Sequence, residues 1–344
     1  VWGLASPFAG ALADRHGAGR TVLGAAVFYV VGLVLMSQAG SPLSFDLSAG
    51  VLLGLGLSGT TFAVIMGVIG RHTTPQKRSL ALGIASAGGS FGQFAVLPVG
   101  QMLISTYGWQ SALVLLACGV GLIAPLAWAM ADGHKVIAGA GQSVAEALRE
   151  AGGERSFHYL FWSFFVCGFQ TAFIMLHLPS YLVDSGLTAN VGMTAVALIG
   201  LFNIFGSFIF GWGGGRYSKK NLLVLIYALR AVAILIFMLL PMSTATAWVF
   251  AAVMGLLWLG TVPLTNGLVA QIFGLRYMSM LTGVVFLGHQ LGSFLGAWLG
   301  GRIFDETGSY LLAWGLSIGL SVLAAICSWP INEKPLARHA GATA

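Results

Sequence analysis

Charge is what this chain has least of. Only 8% of its 344 residues are charged against 57% hydrophobic, and the mean hydropathy is +0.89, whereas an ordinary soluble domain carries roughly a quarter charged residues. A soluble core cannot absorb that deficit, so the countable unit is the membrane span of roughly 20 apolar residues. Cysteine is nearly as scarce. Cys118, Cys167 and Cys327 all fall inside apolar runs, which offers neither a disulfide framework nor metal-ligand spacing and reads as three small buried hydrophobes. No P-loop is present to support ATP-driven pumping, and no Ser/His/Asp or Cys/His constellation follows from spacing. Gly54-Leu-Gly56-Leu-Ser-Gly59 satisfies G-x-G-x-x-G, but it lies in an uncharged apolar run and not at a strand-to-helix turn, which removes the nucleotide reading. The expectation is an all-α polytopic membrane protein that is not an enzyme and holds no cofactor or metal.

What is there begins with Gly10-Ala-Leu-Ala-Asp14-Arg15-His16-Gly17-Ala-Gly19-Arg20, a short connection with an acid, bases and turn glycines between apolar runs. Ten complete spans are expected at 21–39, 47–70, 79–105, 109–131, 157–183, 189–213, 221–241, 246–273, 277–304 and 309–330, after a partial span at 1–13. Starting at Val1 with no full first span, the chain reads as truncated at its N-terminus. If the Asp14 connection is cytoplasmic, all the lysines and arginines except Arg230 and Arg302 fall on that side or in the flanking tails. The positive-inside rule predicts that asymmetry, so the net charge of +6 needs no nucleic-acid partner. The one long connection, 132–156, carries Ser143-Val-Ala-Glu146, a capping-box pattern that predicts a short helix over 145–151. It reads as a surface linker, with a regulatory site as the alternative.

Shifting the chain by 200 residues lays Gly83, Gly88, Gly92, Gly100 and Gly108 over Gly283, Gly288, Gly292, Gly300 and Gly308, and Ser79 over Ser279. A shift of 201 pairs Gly54, Gly59 and Thr60 with Gly255, Gly260 and Thr261, and Gly10 and Arg15 with Gly211 and Arg216. Parallel repeats with midplane sites at their interface are a transporter plan. Six spans in the second half imply twelve in the complete protein.

Six plus six spans, a central loop and Gly10-x-x-x-Asp14-Arg15-x-Gly17-x-x-Arg20 between the second and third spans resemble the major facilitator superfamily. The resemblance implies a bundle over 1–131 lacking its first helix and part of its second, a cytoplasmic linker over 132–156, a six-helix bundle over 157–331 and a cytoplasmic tail over 332–344. It also implies that Gly10, Asp14, Arg15, Gly17 and Arg20, with Arg216 in the second copy, form a conformational latch. In that latch Asp14 would accept from a helix N-terminus or a basic side chain across the interface, while Gly10 permits close packing. The second copy has Gly215 where the acid would stand. Gly108-Trp109, Arg71-His72, Lys77-Arg78 and Ser79-Leu-Ala-Leu-Gly-Ile-Ala-Ser-Ala-Gly88 are similar to the oxalate/formate antiporter and monocarboxylate transporter branch. The charged residue which that branch often carries on its eighth helix is replaced by Asn203 as the main polar group.

Small residues four apart let helix backbones approach closely. Gly288, Gly292, Gly296 and Gly300 form such a ladder, partly repeated by Gly88, Gly92 and Gly100. By resemblance these lie on the eleventh and fifth helices, which slide against the second and eighth; static packing is the alternative. Polar groups at mid-span are costly unless they work, which makes His289, Gln290, Gln170, Gln93, Asn203, Thr60, Thr61 and Arg230 the candidate substrate-binding residues. His289 ranks first because imidazole titrates near neutral pH and donates to a carboxylate. Arg230, roughly 15 Å along its helix from Lys220, reads as either a structural partner or an anion site. No Asp or Glu falls well inside a span. The expected function is secondary transport of a small organic anion, a monocarboxylate, by proton coupling or exchange, in a monomer of the bacterial inner membrane. The protein's partners are then the substrate, protons or a counter-substrate, and the lipid bilayer. A drug or metabolite efflux antiporter of the same fold and a transporter-derived membrane sensor are the alternatives.

Overall fold

A computed structural model describes residues 1–129 and 142–336. Every regular element within them is helical. Helices α1 (Trp2–His16) and α2 (Ala18–Ser37) are separated by Gly17 alone, whose φ of 103° turns the chain in a conformation that residues with a Cβ rarely adopt. The short α3 (Pro42–Phe45) leads through a π-helical stretch, Asp46–Leu52, into α4 (Leu53–Thr60) and α5 (Phe62–His72). Then come α6 (Pro75–Gly121), α7 (Ile123–Ala129), α8 (Val144–Gly153), α9 (Arg155–Asp184) and α10 (Ala189–Gly213). The order closes with α11 (Lys219–Leu239), α12 (Thr244–Leu256), α13 (Thr261–Phe273), α14 (Met278–Thr307) and α15 (Leu311–Ser328).

Among the described residues nine stretches are long and apolar enough to cross a membrane, against the ten expected. The difference lies in one place. Residues 75–128 run as one stretch of 54 residues because two helices abut at Gly108 with no loop between them. Helical hydrogen bonding continues on both sides of Gly108, and only that residue, with φ 79° and ψ 162°, leaves the helix to make a kink.

Two of the nine stretches are broken near mid-depth. Thr61 is extended (φ −112°, ψ −163°) between α4 and α5, and residues 257–260 interrupt α12 and α13. The breaks fall at matching places of the repeat, since Thr60 pairs with Thr261. Irregular backbone at membrane depth must find its partners inside the protein, and those partners define the candidate site. Outside the spans, the capping box at Ser143 is formed: its Oγ accepts from the Glu146 amide at 3.2 Å and its own amide donates to Glu146 Oε2 at 2.6 Å. The helix it opens runs two residues past the expected end, and linker residues 130–141 lie outside the described residues. The second half holds the larger apolar core. In it Phe237 stacks on Phe250 at 4.0 Å and Trp314 packs edge-on against Phe173 and Phe237.

Candidate transport site and latch

Arg230 is fully buried on α11. Its Nε donates to the Leu257 carbonyl at 3.0 Å, and its Nη2 donates to the carbonyls of Leu257, at 2.7 Å, and Trp258. Those carbonyls lost their helical partners at the break, so the guanidinium fastens the interruption. Nη1 donates to Gln170 Oε1 at 3.2 Å, and Gln170 in turn donates to the Ser317 carbonyl at 3.0 Å and to Ser321 Oγ at 2.5 Å. Asn203 serves the same break from α10, accepting from the Leu259 amide at 2.9 Å. Arg230, Gln170 and Asn203 thus stand together around one helix break, each wholly buried.

His289 lies at the edge of this cluster. Its Nδ1 is 3.2 Å from Gln290 Oε1 and 3.4 Å from Ser293 Oγ, which in turn donates to the Gly168 carbonyl at 3.2 Å. Phe286 stacks on it at 5.3 Å, and Phe164 tilts against it at 4.9 Å. Cys167 Sγ is 3.3 Å from Thr261 Oγ1 and 3.8 Å from Arg230 Nη2. The first half reaches this place through Trp2, whose ring meets Phe286 at 5.3 Å and whose Nε1 donates to Thr61 Oγ1 at 3.2 Å. Thr60 and Thr61 donate to the carbonyls of Gly56 and Leu57 on their own helix. Gln93 stands apart, its Nε2 3.7 Å from Met175 Sδ across the two halves. His177 is farther out, 3.0 Å from the Ala297 carbonyl.

At the Asp14 end the two halves meet backbone to backbone. Asp14, whose side chain is fully buried, accepts from Arg71 Nη1 at 2.5 Å and from the Met280 and Ser279 amides at 2.9 and 3.4 Å, in the first turn of α14. Burial pushes its carboxyl above the usual carboxylate value, while Arg71, Ser279 and Met280 pull it back. A Cβ on Gly10 would run into the Ser279 backbone, and one on Gly283 would lie 2.6 Å from the Ser6 carbonyl oxygen. The related pair repeats the arrangement: a Cβ on Gly83 would lie 2.6 Å from Gly211 Cα and 2.9 Å from the Ser207 carbonyl oxygen. Arg15 and Arg20 are exposed, and Arg216 lies over the Trp212 ring at 5.3 Å. Beside Gly215, which stands where the acid would be, Ser79 Oγ is buried with no hydrogen-bond partner among the described residues.

The chain matches the Major Facilitator Superfamily over residues 2–297. It belongs to that family. It is 26% identical over 98% of its length to the MFS-type transporter YcxA of Bacillus subtilis, covering 85% of that protein. It is 28% identical over 89% of its length to monocarboxylate transporter 11 of Mus musculus, covering 70% of that protein. Among solved structures, the transporter FucP in the outward conformation superposes with a TM-score of 0.76, covering 96% of this chain and 86% of that one at 15% identity. As a facilitator-superfamily protein the chain is a multi-pass, secondary-active transporter of a small molecule by alternating access, and not an enzyme.

In this facilitator the glycine ladder meets a different neighbour from the one its resemblance implies. Cβ atoms on Gly288, Gly292 and Gly296 would strike the carbonyls of Phe161, Phe165 and Phe169, and one on Gly300 would strike His177. All four lie against α9 in the same half. Close contacts between α1 and α14 fall instead to Gly283 and to Gly10. Among the described residues no atom stands within 4 Å of where a Cβ on Gly88 or Gly92 would lie, and Gly83 makes the close approach to α10. Sequence reasoning passed over Trp2, Cys167 and Phe286. Only Thr261 carried a signal, as the repeat partner of Thr60.

Proposed function

We propose that the chain moves a small organic anion, a monocarboxylate, across a bacterial inner membrane by proton coupling or exchange, with His289 at the centre of the site. The observation that carries this reading is that the second half holds one permanent cation, the buried Arg230, and one imidazole, His289, at mid-span depth, with every described acid at a helix end or in a loop. A buried cation favours a negative ligand, and an imidazole supplies both a donor to a carboxylate and a proton carrier. The mammalian relative, a monocarboxylate transporter by name, agrees in substrate class. The kink at Gly108 supports counting residues 75–128 as two spans. The concentration of lysine and arginine on the connections at the Asp14 end supports placing that end in the cytoplasm.

The test is uptake into proteoliposomes of radiolabelled lactate and, as a contrasting charge, tetraphenylphosphonium, under an imposed proton gradient. Lactate uptake or exchange is expected, without uptake of the cation. His289→Ala is expected to abolish proton-linked uptake, and His289→Gln to keep exchange while losing its dependence on pH between about 5 and 8. Cation uptake, or an unaltered pH profile in His289→Ala, overturns the proposal.

A further inference from the structure

Ser86 on α6 and Ser207 on α10 are wholly buried, and they meet where the two halves touch. Ser86 Oγ donates to Ser207 Oγ at 3.2 Å, and Ser207 Oγ donates to Asn203 Oδ1 at 3.3 Å. The same Asn203 oxygen accepts from the Leu259 amide at 2.9 Å. That amide stands inside the break between α12 and α13. The two amides before it still reach back to their own helix, Leu257 to the Val253 carbonyl at 3.2 Å and Trp258 to the Gly255 carbonyl at 3.0 Å. A row of hydrogen bonds therefore runs from the first half to the broken backbone of the second.

Each hydroxyl has one hydrogen, which fixes the direction of the row. Hydroxyls in helices of this chain commonly spend that hydrogen on a carbonyl four residues back, as Ser6, Thr21, Thr60 and Ser90 do. For Ser207 the residue four back is Asn203 itself. Its hydroxyl thus has two acceptors there, the main-chain carbonyl of the ordinary back-bond and the side-chain oxygen that it uses. Ser207 Oγ also takes the Ser86 hydrogen, which ties its orientation to α6. Asn203 Nδ2 is buried with no hydrogen-bond partner among the described residues. A bare donor in hydrocarbon is costly, so it is the two donors on the oxygen that hold the side chain in this orientation.

We propose that Ser86 is a positioning residue contributed by the first half to the second, which registers the helix break at 257–260 to the seam between α6 and α10. While the seam is closed, Ser207 points its hydrogen at Asn203 Oδ1 and the Leu259 amide is held. Alternating access moves the halves past one another, and a hydroxyl contact of 3.2 Å is lost after a shift of roughly half an ångström. Ser207 then turns its hydrogen to the Asn203 carbonyl, the side-chain amide rotates to bring Nδ2 to an acceptor, and the Leu259 amide loses its partner. Arg230 sits on the carbonyls of the same break, so the site changes with the conformation. No proton is gained or lost. The inference goes beyond the substrate reading and holds whichever small molecule is carried.

The experiment is hydrogen exchange of the full chain in nanodiscs, read by mass spectrometry at the peptide that contains Leu259. Ser86→Ala lies on the other half and removes no atom from the break. It is expected to speed exchange there about fivefold, the loss of one hydrogen bond. Ser90→Ala is the matched control: it deletes a buried hydroxyl one turn along α6 that donates to its own helix, at the Ser86 carbonyl, and exchange at Leu259 should stay as in the unaltered protein. Gly83→Ala, whose Cβ would lie 2.6 Å from Gly211 Cα, parts the seam with both serines intact and should act as Ser86→Ala does. The double variant Ser86→Ala/Ser207→Ala should exchange no faster than Ser207→Ala alone, as expected of a single row. Unchanged exchange in Ser86→Ala, equal acceleration in Ser90→Ala, or additive effects of the two serine substitutions overturns the inference. Absence of lactate uptake by the unaltered protein overturns the substrate reading and leaves this comparison intact.

Discussion

Gly92 and Gly292 occupy equivalent places in the repeat and opposite environments in the structure, which makes one substitution at both positions a controlled experiment. A Cβ at Gly292 would lie 2.8 Å from the Phe165 carbonyl carbon and 2.9 Å from the Phe169 amide nitrogen, with the Phe165 oxygen nearer still. These are backbone atoms of a packed helix and cannot rotate aside, so α9 and α14 must part by roughly an ångström. Overpacking of this kind costs about 1–3 kcal/mol. A Cβ at Gly92 meets nothing within 4 Å. Replacing glycine by alanine inside a helix returns about 0.5–1 kcal/mol at either site, and that gain cancels in the comparison. Gly292→Ala is therefore expected to be less stable than Gly92→Ala by about 1–3 kcal/mol, measured by equilibrium unfolding in mixed micelles. Equal stability of the two variants would refute the close approach of α9 and α14.

The same pair separates stability from alternation. Gly92→Leu is expected to fold normally, because its surroundings are open in this state. If the opposite state brings a helix of the second half against that face, the leucine blocks it, and transport should fall severely in a well-folded protein. Normal transport by Gly92→Leu would mean that the free row of glycines takes no part in the conformational cycle.

Other substitutions test the end contacts. Both Asp14 oxygens accept from donors, so Asp14→Asn sets an amide hydrogen against one of them; transport should drop while the protein stays folded, and hydrogen exchange at residues 279 and 280 should speed up. Gly215→Asp places a carboxylate beside the partnerless Ser79 hydroxyl, where its Cβ meets nothing closer than the Trp212 carbonyl oxygen at 3.3 Å; stability should rise by about 1 kcal/mol and turnover should slow as both seams become latched. Glu333 accepts from Ser218 Oγ at 3.2 Å and from the Lys220 amide at 2.6 Å in the first turn of α11. Glu333→Gln should lower the melting temperature modestly, through a loss of about 1 kcal/mol, and leave transport in place.

Span positions were legible because hydropathy is a property of consecutive residues. The close approaches between the halves were legible in part because glycines recur at a nearly fixed offset. Which partner each glycine meets was not, since Gly92 and Gly292 share a spacing and differ only in the conformational state of the surrounding helices. Cys167 was invisible for another reason. In an apolar run a thiol looks like any small hydrophobe, and its neighbours Arg230 and Thr261 lie 63 and 94 residues away along the chain. The break at 257–260 is flanked by Gly255 and Gly260 and followed by Pro263, which cannot donate to the Leu259 carbonyl, but none of these says which side chain binds the freed carbonyls. Without that break Arg230 has no exposed carbonyls to bind, so its role could not be read from its own helix.

The two breaks also explain why the halves differ chemically at the same depth. An unpaired backbone group in hydrocarbon costs several kcal/mol, so each interruption needs donors and acceptors. The first half supplies them locally, with Thr60 and Thr61 bonding back to their own helix and Trp2 closing over Thr61. The second half supplies them from other helices, through Arg230 and Asn203. One repeat is thereby closed by neutral hydroxyls and the other by a permanent cation. In the proposed reading, the charged end of the substrate faces the second half at His289, and its apolar end lies toward the indole of Trp2.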